Sequence, residues 1–154
     1  MIKIKIIVVG KIKENYFNLG IEEYKKRLKA FCDIDLIEVK EINTNDNVKN
    51  LKEEKDEILS NIDNDDYVVT LDIKGKEIDS VELANLIKDH YIYSSKIMTF
   101  IIGSSCGLDN EVIKRADYHL SFGKMTFPHQ MMRMILFEQL YRAMTIINNH
   151  KYHK

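Results

Sequence analysis

The 154-residue chain contains no tryptophan, one proline and two cysteines. One proline beside six glycines excludes collagen-like and low-complexity sequence. Cys32 and Cys106 are far apart and form no CxxC pair, which excludes a disulfide-dense secreted scaffold. Both read as reduced thiols packed as small hydrophobes, with the cytoplasm as the expected compartment. Long apolar runs are also missing. The opening MIKIKIIVVGKIK is broken by lysines and shows no cleavage site, so it does not read as a secretory signal. The most apolar stretch starts at Met131 but holds Arg133, Glu138, Gln139 and Arg142. A membrane helix needs about 20 residues with few or no charges, so no span is expected. Nor is there an excess of one charge. Lys and Arg number 23, Asp and Glu 24, and the formal net charge is −1. Taken alone, that balance argues against a nucleic-acid partner.

What is present is enough for one folded domain over 1–154. The hydrophobic fraction is 45% and the charged fraction 31%. The charge is unevenly distributed. Residues 3–29 carry a net +5, residues 30–120 a net −10, and residues 121–154 a net +4 with three of the five histidines. Two basic ends flank an acidic middle, and such asymmetry points to a partner more than the total does.

Strand-like and helix-like patterns alternate. Residues 2–9 are a β-branched run ending at Gly10, and 15–29 has apolar residues at helical spacing. A strand pattern over 33–39 leads through a polar turn to a charged helix over 48–59. Residues 67–73 read as a strand closed by Gly75, and 80–90 as a helix capped by Ser80. A buried strand over 97–102 precedes a helix over 109–116 capped by Asp109. A fifth strand covers 118–122. Pro128 suits the first turn of a last helix that runs to about Asn148. This alternation predicts an α/β domain with a mostly parallel sheet of five or more strands. In such sheets ligands bind beyond the carboxyl ends of the strands. Residues 71–75, 103–107 and 122–127 fall there. Gly103-Ser-Ser-Cys-Gly107 lets backbone approach a ligand but matches neither a dinucleotide nor a Walker loop.

The last helix is apolar around most of its circumference. Glu138, Gln139, Arg142 and Thr145 form one polar stripe. A sheet face covers one side, so the rest is expected to meet a second subunit in a two-fold dimer; the alternative is a central helix within one monomer. Arg133 lies opposite the stripe. Buried there, it must hold either a structural ion pair or an anionic ligand. His129 stands near the glycine-containing strand ends. The tail Asn149-His-Lys-Tyr-His-Lys154 is basic and aromatic, which suits RNA through Lys on phosphate and Tyr or His on a base. A frayed terminus is its alternative. His150 and His153 lack a third ligand, so no metal is expected.

Several blocks together are specific. They are Leu71-Asp-Ile-Lys-Gly-Lys76, Ile101-Ile-Gly-Ser-Ser-Cys-Gly-Leu108, Leu120-Ser-Phe-Gly-Lys-Met-Thr-Phe-Pro-His-Gln130, Glu138-Gln-Leu-Tyr-Arg-Ala143 and the final Tyr-His-Lys. Over essentially its whole length the chain resembles the bacterial RlmH family of SPOUT-class methyltransferases. The resemblance implies a SPOUT-type α/β knot with a C-terminal trefoil knot, an exception to the unthreaded rule. It implies a homodimer and S-adenosylmethionine as cofactor, with S-adenosylhomocysteine as product. The implied substrate is N3 of a pseudouridine in 23S rRNA of the large subunit, on assembled ribosomes. By motif match, Leu71, Gly103, Phe122, Gly123, Lys124, Met125, Thr126 and Phe127 would hold the cofactor. His153 and then His129 are the candidate bases, and Arg133 or Arg142 the candidate charge stabiliser. Tyr152, His153 and Lys154 are the candidate RNA contacts. One departure is Ser104, where the family usually has a second glycine. The competing readings are a non-catalytic nucleotide-binding module and a ribosome-associated binding protein.

Overall fold

A computed structural model describes residues 1–154. The order of elements is β1 (Ile2–Val9), α1 (Asn15–Leu28), β2 (Cys32–Val39), α2 (Asn47–Ser60), β3 (Tyr67–Glu77), α3 (Ser80–Tyr93), β4 (Met98–Ile102), α4 (Asn110–Arg115), β5 (Tyr118–Ser121) and α5 (His129–Ile147). The five strands form one sheet in the order β2-β1-β4-β3-β5, and every pairing is parallel. The α/β class and the parallel sheet are as the alternation predicts.

Strand periodicity of two divides the core. Ile4, Ile6 and Val8 of β1 join Met98, Phe100 and Ile102 of β4 on one face, beneath α1, α3 and α5. Ile7, Val9 and Ile101 point the other way, toward Ile58 of α2 and Val112 of α4. The result is three layers, helices over both faces of a buried sheet. No helix is long and apolar enough to cross a membrane.

The last helix needs a correction. Its apolar circumference does not by itself demand a second subunit. Leu136, Phe137, Leu140 and Met144 are fully buried on the sheet, and α1 and α3 pack on its two flanks. A central helix within one monomer therefore accounts for most of the pattern, because three elements cover it rather than one. Only a strip remains outward, with Met131, Ile135, Glu138 and Arg142 half-buried.

Two local readings also change. The cap of α3 is Asp79, not Ser80. Asp79 Oδ1 accepts from the Glu82 amide at 2.8 Å, and Glu82 Oε2 accepts from the Asp79 amide at 2.7 Å. This reciprocal capping box satisfies two orphan donors, which a lone serine cannot do. Ser80 instead donates to Gln139 Oε1 at 2.7 Å. Strand β3 does not stop near Gly75. Leu71 and Lys76 both pair with Leu120, so residues 72–75 loop out and the strand resumes. Gly75 makes this possible, because a Cβ there would lie 2.7 Å from the His119 backbone.

The tail is packed rather than frayed. Asn149 adopts φ 57°. The His150 amide donates to Thr145 O at 2.8 Å and the Asn149 amide to Ile146 O at 3.2 Å. That is a Schellman end, with asparagine in the left-handed position usually held by glycine. It turns the chain back over α5.

Candidate functional site

Parallel strands place their carboxyl ends along one edge, and the three segments singled out above converge there. They line a cleft of about 580 Å³, within the range of small-molecule and cofactor sites. Leu71 contributes from β3, Gly103 from the loop after β4, and Phe122, Gly123, Met125, Thr126 and Phe127 from the loop after β5. His129, in the first turn of α5, also lines it. Lys124 is exposed and does not line the cleft.

The walls are mostly apolar. Ile73, Ile102, Leu108, Ile113 and Met132 belong to them; the first three lie in the motif blocks, whereas Ile113 and Met132 lie outside them. Ile73 enters because of the 72–75 excursion. Met132 enters because it follows His129 by about one helical turn. Met125 is 77% exposed at the rim, where a large apolar side chain gains from covering a ligand.

The glycines have separate tasks. At Gly103 an added Cβ would stand 2.7 Å from the Gly107 carbonyl carbon, so two strands of the loop touch backbone to backbone. Gly107 and Gly123 adopt φ 87° and 120°, and space beyond each is open. The loop after β4 is pinned by the Gly107 amide donating to Ser104 O at 2.9 Å. Ser104 is buried, and its Oγ accepts from the Cys106 amide at 3.3 Å. Its side chain therefore serves the turn.

Arg133 is not brought to the cleft. It is 2% exposed, and its guanidinium donates to Glu38 Oε2 and to Gly10 O, each at 2.9 Å. Burial pulls its pKa below the ordinary arginine value, and Glu38 opposes that shift. The structural ion pair is the reading these contacts support.

Arg142, Tyr152 and His153 come together, but elsewhere. Arg142 donates to Glu138 Oε1 from Nε at 3.0 Å and from Nη2 at 2.6 Å. Its Nη1 lies 3.2 Å from His153 Nδ1. The guanidinium sits 4.8 Å above the Tyr152 ring, a cation–π contact. Tyr152 donates to Glu138 Oε1 at 3.1 Å and meets Tyr141 edge-on at 4.7 Å. Burial, then hydrogen bonds with Tyr24 and Glu138, hold the Tyr152 phenol above its ordinary range. Arginine only donates, so in this contact His153 Nδ1 is the acceptor.

These two groups of residues lie at opposite ends of the domain. Arg142 follows His129 by thirteen positions, about 20 Å along a helix axis. His150 packs on Phe31, which immediately precedes β2 at the amino edge of the sheet. Within one subunit the tail is therefore remote from the cleft. Periodicity could group the residues by helix face but not by distance along α5. No group of three or more potential metal ligands occurs.

The chain is similar to known proteins. The family model described as predicted SPOUT methyltransferase matches residues 2–153. The ribosomal RNA large subunit methyltransferase H of Carboxydothermus hydrogenoformans is 47% identical, with 99% of each chain covered. That of Clostridioides difficile is 49% identical, covering 98% of this chain and 99% of its own. Among solved structures, a probable methyltransferase from Bordetella pertussis superposes with a TM-score of 0.55 at 13% identity. It covers 92% of this chain and 93% of that one. The fold likeness concerns the framework alone, whereas the near-complete sequence matches include the cleft loops and the tail. On those matches, the chain belongs to the ribosomal RNA large subunit methyltransferase H family of SPOUT methyltransferases.

Proposed function

We propose that the protein methylates N3 of a pseudouridine in the 23S rRNA of the large subunit, on assembled ribosomes, with S-adenosylmethionine as methyl donor. The carrying observation is the cleft, where the family's cofactor motif residues meet at the carboxyl edge of the sheet. Its residues fit such a group. The walls offer apolar surface for a base and a thioether, and Gly103, Gly107 and Gly123 leave backbone bare where a nucleoside must lie close. The proposal includes the C-terminal trefoil knot and a cytoplasmic site of action.

Bound in the cleft, the cofactor would supply an activated methyl on a sulfonium, with S-adenosylhomocysteine as the product. The protein's residues position the reactants in line and manage one proton. Uracil-type N3–H is a weak acid and must lose that proton to a base. His153 is the first candidate. Its Nδ1 lone pair is held by Arg142, so it acts once the tail leaves that contact. His129, already in the cleft wall, is the second. Arg142 would stabilise negative charge on the ring carbonyls.

A homodimer reconciles the tail with the cleft. In a two-fold pair built on the outward strip of α5, antiparallel helices set the carboxyl end of one beside the amino end of the other. The tail of one subunit then serves the cleft of its partner, and Tyr152, His153 and Lys154 contact the RNA there.

The deciding measurement is incubation of ribosomes lacking the modification with methyl-labelled cofactor. Label should appear at one pseudouridine. Cofactor binding with no label would favour a ribosome-associated binding protein. Binding of other nucleotides in place of S-adenosylhomocysteine would favour a non-catalytic nucleotide module.

Gly103→Ala provides a sharper test of the cleft. The clash is with backbone, which has no rotamer to escape into. Calorimetry should show S-adenosylhomocysteine affinity falling about fivefold or more, since over-packing costs about 1–3 kcal/mol. Unchanged affinity would place the ligand elsewhere.

A further inference from the structure

The two basic ends of the chain are far apart in sequence, yet the fold joins them. Helix α1 packs along α5, and the tail turns back over the end of α5. Aromatic rings fill the seam. Tyr24 of α1 meets Tyr141 of α5 at 6.1 Å, and Tyr141 meets Tyr152 of the tail edge-on at 4.7 Å. Phe31, just beyond α1, lies 6.2 Å from Tyr141 and meets the His150 ring edge-on at 5.1 Å. The Arg27 guanidinium stands 5.5 Å from the Tyr24 ring and 5.6 Å from that of Tyr141. Contacts of this geometry are attractive, so the end of α1 and the tail form one surface.

Charge on that surface does not cancel. Every acid of α1 and α5 already faces a cation. Glu22 lies 3.4 Å from Lys25, Glu23 3.0 Å from Arg27, and Glu138 2.6 Å from Arg142. Lys26, Lys29, Lys151 and Lys154 are exposed and have no carboxylate partner. Lys29 stands two residues before Phe31, and Lys151 directly follows His150, so both flank the Phe31–His150 contact. The acids of the neighbouring edge strand are turned away. In β2, Ile34 and Leu36 pack on the core beneath α1 and α5. Strand periodicity then sends Asp33 and Asp35 to the opposite face of the sheet. Unpaired lysines beside aromatic rings suit a nucleic-acid strand, because an ammonium neutralises a phosphate and releases its counterions.

We propose that the end of α1 and the tail form one RNA-docking surface, on which Lys29 and Lys151 hold backbone phosphates of the rRNA strand that leads to the target nucleotide. The inference rests on the reading that the tail meets ribosomal RNA, and it adds α1 to that reading. It gives the two basic ends a common task. They dock the strand, and the chemistry is left to the cleft and to the last residues of the tail.

Titration of ribosomes with the full chain over a range of salt tests this. Lys29→Gln combined with Lys151→Gln should bind about tenfold or more weakly at about 0.1 M salt, because two phosphate contacts are lost. The slope of log affinity against log salt should become shallower by about 1.5. KM for ribosomes should rise with kcat unchanged, the sign of lost docking rather than lost chemistry. S-adenosylhomocysteine affinity should not change, since neither lysine lines the cleft. Both lysines are exposed and unpaired, so the substitutions spare the fold. Lys52→Gln combined with Lys114→Gln makes the same change of charge on the other face of the sheet, where α2 and α4 pack. That variant should keep the original affinity and slope.

The loss of slope should also appear on protein-free RNA, because phosphate contacts carry no sequence information. Equal affinity and slope for the Lys29/Lys151 variant and the original protein would overturn the surface. So would an equal loss in the Lys52/Lys114 variant, which would make net charge the cause. A loss on ribosomes with none on protein-free RNA would assign the surface to an acidic protein and overturn the RNA assignment. Failure of the methylation reading gives a different result. Ribosomes that bind the original protein but take no label would remove the catalytic reading, and the binding comparison would still judge the surface. No binding of the original protein to ribosomes or to RNA would overturn both.

Discussion

Deleting His153 and Lys154 should lower methyl transfer to ribosomes about a hundredfold, the lower end for loss of a general base. Affinity for S-adenosylhomocysteine should stay the same, because no tail residue lines the cleft expected to hold it. The truncation spares the fold. Tyr152 keeps its bond to Glu138 and its contact with Tyr141, and the Schellman end at Asn149 is untouched. His129→Ala is the control. If it abolishes transfer while the truncated protein works normally, the base is His129. Mixing the truncated protein with Gly103→Ala then tests which subunit supplies the tail. At limiting cofactor each variant alone is strongly impaired. Random two-fold pairing makes half the dimers mixed, and each mixed dimer holds one intact cleft facing one intact tail. Recovery of about a quarter of the activity is expected. No recovery would mean that the tail serves its own subunit.

Glu38→Ala should destabilise the protein by about 3 kcal/mol. The reason is the asymmetry of the pair. Glu38 is 42% exposed at its side chain, but Arg133 is 2% exposed. Removing the carboxylate leaves a guanidinium inside the domain with Gly10 O as its remaining partner. Its Nε already lacks an acceptor. The opening left by Glu38 admits some water, which holds the loss near the low end of about 3–5 kcal/mol for a broken buried pair. Urea unfolding should show this as a lower midpoint with unchanged slope. The heat-denaturation midpoint should fall by about 10 °C for a domain of this size. Replacing both partners, Glu38→Gln with Arg133→Met, should recover most of the loss, because no charge is then stranded. A loss below about 1 kcal/mol for Glu38→Ala would mean that Arg133 finds another partner. S-adenosylhomocysteine affinity should be unaffected, which distinguishes the structural role of Arg133 from a ligand-binding one.

Much of the fold was legible because local rules and the global arrangement agree. Alternating apolar positions in β1 reappear as two separate core clusters, and the helix-strand alternation reappears as a parallel sheet. The capping of α3 was misassigned to Ser80 because Asp79 and Glu82 act reciprocally, and a one-residue reading does not weigh pairs. The early end of β3 came from treating Gly75 as a stop. The glycine is there for a close crossing of β5, after which pairing resumes. Of the eight residues that the motif blocks assign to a cofactor, seven line the cleft and Lys124 does not. Ile113 and Met132 were not legible, because they reach the cleft from neighbouring helices.

The alternation of strand and helix patterns determined a parallel α/β fold without help from coordinates. The motif blocks determined the family. Distance decided the rest. Sequence showed that Arg133 and Arg142 both sit on one helix, yet only packing shows one buried against Glu38 and the other holding the tail. Spacing along a chain sets which side chains share a helix face. It does not set which far-off carboxylate meets them, because that depends on where β2 and the tail come to rest in three dimensions.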